Sequence, residues 1–248
     1  MSAASKSLLL IGATSDIGHA TAAAFAKAGW TVHLAARNME AAERNKDDLA
    51  VRSGGHVSVH HLDILETDRF ATFLDELGAL PDVAVCVVGE LGDQQRAQTD
   101  LAHATQVIRT NFEGPAILLG MLCERFIQRG HGTIVGVSSV AGDRGRGSNY
   151  VYGAAKAGFT AFLSGLRNRA SSSSVEVITI KPGFVRTRMT EGMKLPPVLT
   201  AEPDEVGAAI FAAVQKKRSG VLYVRKIWRP VMTAISLIPE PIFKKMRL

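Results

Sequence analysis

Cysteine is scarce. Cys86 and Cys123 are the only two in 248 residues, too few for a disulfide framework and unsuited to a zinc site. His60-His61 and the other histidines also lack metal-ligand spacing, so no metal is expected. No run of about 18 apolar residues occurs, which excludes a spanning helix. The opening MSAASKSLLLIGATSDIG meets glycine after four apolar residues, short of the roughly 7–15 of a signal h-region. Aromatic residues make up only 6%, with no aromatic and basic interleaving and no helix-turn-helix pattern, so no nucleic-acid partner is expected. These absences leave a soluble, cytoplasmic protein. Its 46% apolar content is enough for a sizeable core.

Charge is unevenly spread. Of 29 Lys and Arg against 23 Asp and Glu, nine basic residues and one acid, Glu240, fall from Lys216 onward. The tail thus carries +8 and the body, with 20 basic and 22 acidic residues, −2. Ile227, Trp228, Val231, Met232, Ile235, Leu237, Ile238, Ile242 and Phe243 give this tail an amphipathic spacing. Two readings follow. It packs on its own domain or a second subunit, or it makes a peripheral contact with the inner face of an anionic membrane. Pro239 and Pro241 interrupt any continuous helix there.

Short apolar runs alternate with helix-length stretches. Strands are predicted at Leu8–Ile11, Thr31–Ala36, Val57–Leu62, Val83–Val88, Thr133–Ser138, Val175–Ile180 and Val221–Val224. Helical segments are predicted near 17–28, 39–52, 66–78, 100–128, 151–170 and 203–217. Strands apolar on both faces and separated by helices read as βαβ units, hence a parallel sheet covered on both sides. The fold class is α/β: a single Rossmann-like, doubly wound domain over 1–225, with the basic tail 226–248 appended.

The first strand runs straight into Gly12-Ala13-Thr14-Ser15-Asp16-Ile17-Gly18. A strand turning on glycine into a helix presents backbone N–H groups to a pyrophosphate. Gly12 permits the tight turn and Gly18 lets the helix pack close. Asp16 stands where a third glycine is usual, so its carboxylate must cap the helix or point away from phosphate. The second strand ends in Ala36-Arg37, with no acid for a ribose 2′-hydroxyl and a guanidinium for a 2′-phosphate, which favours NADP(H). Asp63, closing the third strand, is placed to meet the adenine or to cap a helix.

Tyr152 and Lys156 stand at i and i+4 on one helix face. Ser139 ends the strand before them. A phenol is a poor acid at neutral pH, and a neighbouring ammonium favours its phenolate, the tuning a proton donor to a ketone needs. Ser139 is placed to stabilise charge developing on a substrate oxygen.

The set Gly12/Gly18, Asn111 in Arg-Thr-Asn-Phe-Glu-Gly-Pro, Ser139, Tyr152, Lys156 and Pro182-Gly183 resembles the short-chain dehydrogenase/reductase family over about residues 6–225. The resemblance implies a catalytic tetrad of Asn111, Ser139, Tyr152 and Lys156. Tyr152 would exchange the proton, Lys156 would bind the nicotinamide ribose and lower the phenol pKa, and Asn111 would hold a relay water. Cofactor contacts are implied for Gly12, Thr14, Ser15, Asp16, Ile17, Gly18, Arg37, Asp63, Gly89, Tyr152, Lys156, Pro182, Gly183, Val185 and Thr187. Two departures stand out: Asp16, and Cys86-Val87-Val88-Gly89 where the family has Asn-Asn-Ala-Gly.

Within the family, Val88–Asp93, Tyr150–Gly153, Arg186–Met189 and Leu237–Lys245 look similar to decaprenylphosphoryl-2-ketoribose reductases. That likeness implies a keto-sugar on a polyprenyl phosphate lipid. The alternatives are a small soluble ketone, a 3-oxoacyl substrate, or a non-catalytic nucleotide-binding regulator. Arg144, Arg146, Arg186 and Arg188 follow two strand ends at the mouth of the sheet, and are expected to hold an anionic substrate. The helices near 100–128 and 151–170 form subunit faces in proteins this chain resembles, which implies a homo-oligomer.

Overall fold

The computed structural model describes residues 6–246, so residues 1–5 of the expected domain and Arg247 and Leu248 of the tail lie outside the described residues. The chain runs through β1 (Ser7–Ile11), α1 (Asp16–Lys27), β2 (Thr31–Ala36), α2 (Met39–Ser53), β3 (Val57–His61), α3 (Phe70–Glu76) and β4 (Val83–Cys86). It continues with α4 (Gln94–Ala97), α5 (Leu101–Ile108), α6 (Gly114–Arg129), β5 (His131–Val137), α7 (Tyr150–Arg169) and β6 (Ser174–Lys181). A short pair, β7 (Phe184–Val185) and β8 (Thr200–Ala201), precedes α8 (Pro203–Gln215), β9 (Gly220–Tyr223), α9 (Trp228–Leu237) and α10 (Glu240–Phe243).

The main sheet has seven parallel strands in the order β3-β2-β1-β4-β5-β6-β9. The expected Rossmann-like architecture is present. Alternate side chains of each strand feed two apolar cores. One face gathers Leu8, Leu10 and Leu34 with Phe25 of α1 and Val206 and Ile210 of α8. The other gathers Leu9, Ile11 and Ile134 with Phe70 of α3, Leu119 of α6 and Phe159 of α7. Because strand order reverses between β1 and β4, their carboxyl ends part and leave a crevice, where such sheets bind ligands.

The structure departs from several predicted boundaries. The segment 100–128 is α5 and α6 joined by a π turn, Arg109–Glu113, with Pro115 in the first turn of α6. The segment 66–78 is a 3₁₀ turn followed by the short α3. The fourth strand stops at Cys86 rather than Val88, because the chain leaves the sheet there to floor the crevice. The helix α4 and the β7–β8 ladder were not anticipated.

The tail folds back on the domain. Trp228 and Met232 of α9 bury against Val140, with Phe184, Leu199 and Tyr223 packed around them. Phe243 of α10 is buried as well. Pro230 sits in the first turn of α9, where no backbone N–H is needed, and Pro239 caps α10. Ile227, Leu237, Ile242 and Met246 stay exposed. Among the described residues no helix is long and apolar enough to cross a membrane.

Candidate active site

The crevice holds two adjoining cavities, one of about 400 Å3 and one of about 180 Å3, with Val87 and Gly89 lining both. The larger begins at the β1–α1 turn. Gly12 has φ +91, and a Cβ there would lie 3.0 Å from the backbone nitrogen of Val88. At Gly18 a Cβ would meet the Gly12 carbonyl at 2.6 Å, so both positions must stay bare for the turn to close. Ser15 is the cap of α1, its hydroxyl accepting from the Gly18 N–H at 3.0 Å. The helix therefore begins in the crevice with its positive dipole end toward the cavity.

Asp16 does not cap α1, a role Ser15 takes. Its carboxylate accepts from the backbone N–H of Arg188 at 2.8 Å and from Arg188 Nε at 3.0 Å. A glycine could not supply this clasp between the first turn and the segment after β7. Arg37 and Asp63 line the far end of the larger cavity. The Asp63 carboxylate closes a local turn by accepting from the Leu65 N–H, and does not cap a helix. Arg37 is exposed at the rim, and among the described residues no carboxylate pairs with it.

The smaller cavity brings Ser139, Tyr152, Lys156, Pro182, Gly183 and Thr187 to one space. Lys156 is buried, its ammonium donating to the carbonyls of Val137 at 3.2 Å and Val88 at 3.3 Å. Desolvation lowers its pKa to about 8. The Lys156 Nζ lies 5.8 Å from the Tyr152 ring centre. Contrary to expectation, the phenol pKa is raised, not lowered: burial outweighs the opposing pull of the Ser139 hydroxyl.

Asn111 is fully buried in the π turn. Its Nδ2 donates to the Glu90 carbonyl at 2.7 Å and the Val107 carbonyl at 2.8 Å, while its Oδ1 accepts from the Glu90 N–H at 3.2 Å. The extra residue of a π turn is what swings this side chain inward, a distortion common at functional sites. A Cβ on Gly89 would sit 3.1 Å from Asn111 Oδ1 and 3.3 Å from Lys156 Nζ, so this glycine keeps the floor open beside both. Cys86, in the position of the family's first asparagine, is buried in the core, and desolvation raises its thiol to about 11.

The four arginines expected at the mouth do not converge. Arg144 pairs with Glu240 at 2.7 Å and lies over the Phe243 ring, so it clamps the tail. Arg186 pairs with Glu202 on the surface. Arg188 belongs to the larger cavity with Asp16 and the Thr14 carbonyl. Only Arg146 lines the smaller one.

Sequence reasoning missed the apolar wall of the smaller cavity, formed by Leu91, Val140, Phe184, Met189, Met193 and Trp228. Trp228 stacks so closely on Gly183 that a Cβ there would fall 1.9 Å from its ring. The indole Nε1 donates to the Leu199 carbonyl at 3.1 Å.

The bare Gly12 turn and the long cleft ending at an unpaired guanidinium fit a dinucleotide. A family model described as short chain dehydrogenase matches residues 6–196. An uncharacterized oxidoreductase of Mycobacterium tuberculosis (strain H37Rv) is 38% identical over 246 residues, covering 96% of this chain and 96% of its own length. An acetoacetyl-CoA reductase of Allochromatium vinosum is 31% identical over 217 residues, 82% of this chain and 88% of its own. In fold, the chain matches a short-chain dehydrogenase from Sphingobium yanoikuyae in complex with NADPH with TM-score 0.80 at 24% identity, covering 98% of this chain and 96% of that one. With the family model spanning most of its length and relatives above 30% identity along nearly all of it, this chain is an oxidoreductase belonging to the short chain dehydrogenase family.

Proposed function

We propose that the protein is an NADPH-dependent reductase that converts a ketone to a secondary alcohol. The observation that carries the reading is a pair of adjoining cavities that share Val87 and Gly89, with Ser139, Tyr152 and Lys156 in one and the unpaired Arg37 in the other. Arg37 would take the 2′-phosphate, the β1–α1 turn the pyrophosphate, and Lys156 the nicotinamide ribose. Pro182, Gly183, Val185 and Thr187 would flank the carboxamide. The bound cofactor would supply a hydride to the carbonyl carbon.

Ser139 would hold the carbonyl oxygen as negative charge grows on it. Tyr152 would give that oxygen its phenolic proton, leaving a phenolate that the Lys156 ammonium stabilises. The raised phenol pKa in the chain alone keeps this proton in place until the site is filled. Reprotonation would follow the Lys156–Asn111 side, which Gly89 keeps free of a side chain. The apolar wall suits a ketone with an apolar arm, which supports a lipid-linked or acyl substrate over a small polar one.

Titration with NADPH and NADH, followed by nicotinamide fluorescence, tests the reading. Arg37→Ala should weaken NADPH at least about 10-fold and leave NADH unchanged, as expected for one lost charge-assisted phosphate contact. Equal NADPH affinity in both proteins overturns it.

Two further parts of the reading concern association. Leu101, Ile108 and Ile117 are exposed on α5 and α6, which supports a homo-oligomer, testable by light scattering. Leu237 and Ile242 are exposed beside Lys244 and Lys245, which supports a peripheral contact with anionic lipid. Absence of flotation with anionic vesicles removes that contact.

A further inference from the structure

The loop between β5 and α7 carries three charged side chains, and two are spoken for. Asp143 binds Lys181 Nζ and accepts from the Tyr223 hydroxyl at 3.0 Å. Arg144 is held by Glu240 and by the Ser236 carbonyl at 2.9 Å. Arg146 is different. Its Nε is buried with no hydrogen-bond partner, and its one side-chain contact of that kind is from a terminal nitrogen to Met232 Sδ at 3.6 Å. Among the described residues no carboxylate pairs with it. The Oδ1 of Asn149, one turn before Tyr152, is also buried without a partner. Both residues line the smaller cavity, whose other walls are largely apolar.

A guanidinium whose Nε is buried without a partner is costly even where the rest of the side chain is half-buried, and it is retained where a ligand completes it. Desolvation holds the Arg146 pKa below the usual arginine range, with Asp143 only partly opposing. Met232 of α9 touches the guanidinium from the tail side, and the side chain lines the smaller cavity.

We propose that Arg146 is a specificity-determining residue that binds an anionic group on the substrate, a carboxylate or a phosphate, beside the ketone presented to Tyr152, with Asn149 accepting from a substrate hydroxyl or N–H. This rests on the ketone-reductase reading. It assigns to one residue the role that four arginines were expected to share. The substrate is then amphipathic, its anion on the Arg146 side and its apolar arm along Phe184, Met189 and Trp228.

Matched probes test it: levulinate against its neutral methyl ester, and hydroxyacetone phosphate against hydroxyacetone. In the wild type, kcat/KM for the anion should exceed that for its neutral match by about 10–100-fold, the worth of one charge-assisted bond, with the difference carried by KM. The pair with the larger ratio identifies the anion as carboxylate or phosphate. Arg146→Gln should erase the ratio, and an unchanged urea midpoint reports that the variant folds. Arg146→Lys should restore part of it.

A second readout needs no cofactor. Trp228 shares the cavity with Arg146, so in a Trp30→Phe background its fluorescence should respond to the preferred anion, and Arg146→Gln should abolish that response. An anion-to-neutral ratio unchanged by Arg146→Gln overturns the proposal, as does Trp228 emission that ignores both anions. A fluorescence response lost in Arg146→Gln, together with no NADPH binding and no turnover of any ketone, keeps the anion site and overturns the reductase reading instead.

Discussion

At Lys156 burial and charge oppose each other most strongly. Its ammonium is wholly desolvated, and its pKa falls to about 8 from the ordinary 10.5. A base with a depressed folded-state pKa binds fewer protons folded than unfolded between those two values, so stability rises with pH across that window. Relative to Lys156→Met, the wild type should therefore gain on the order of 3 kcal/mol between about pH 7 and pH 10, at roughly 1.36 kcal/mol per pH unit. Urea midpoints of both proteins at the two pH values measure it, and a constant difference contradicts the burial account. Gly183 makes the second case. A methyl group there collides with the Trp228 ring, so Gly183→Ala should cost about 1–3 kcal/mol, as overpacking does, and shift Trp228 emission. In a Trp228→Leu background that cost should largely vanish, which a double-mutant cycle would read. The identities of Ser139, Tyr152 and Lys156 were legible because spacing along one helix and one strand end carries them. The environment of the phenol was not, since desolvation depends on which distant segments pack around it.

Between elements, Asn111 replaces regular helix bonding with side-chain bonding. The π turn lets one amide side chain satisfy both polar groups of the Glu90 backbone and the Val107 carbonyl. It thereby ties the α5–α6 pair to the loop after β4. Asn111→Ala takes the amide from two part-buried groups and one buried carbonyl, and should cost about 1–3 kcal/mol by urea unfolding, besides any loss of turnover. A loss below about 0.5 kcal/mol would mean water replaces the amide. The strands were legible at this scale because all seven are short runs set between helices. The break at Arg109–Glu113 was not, because no helix-breaking residue marks it: Pro115 comes after the turn, where a helix tolerates it. The Asp16–Arg188 clasp escaped the sequence for another reason: its partners are brought together only by the β-α-β winding of the sheet.

For the molecule as a whole, the question is whether the tail is an appendage or part of the fold. Its apolar spacing was legible, but its target was not, since amphipathic residues specify a face and not what covers it. Trp228, Met232 and Phe243 are nearly or fully buried, and burying each contributes about 1.5–3 kcal/mol. That total is a large share of the roughly 5–15 kcal/mol by which domains are stable. Removing the chain from Lys226 onward would expose Val140, Phe184, Leu199 and Tyr223 together. It would also release Arg146 from Met232 and Arg144 from Glu240. The truncated protein should therefore melt well below the full chain and bind an apolar dye. Gly12, Ser15, Arg37 and Asp63 line the other arm of the crevice, which none of the described tail residues lines. NADPH binding should thus survive below the new melting temperature, while selection among ketones is lost. Calorimetry and NADPH titration on the same sample separate the two effects. An unchanged melting temperature would make the tail an appendage after all, and loss of NADPH binding in a still-folded protein would show that the two cavities depend on one another.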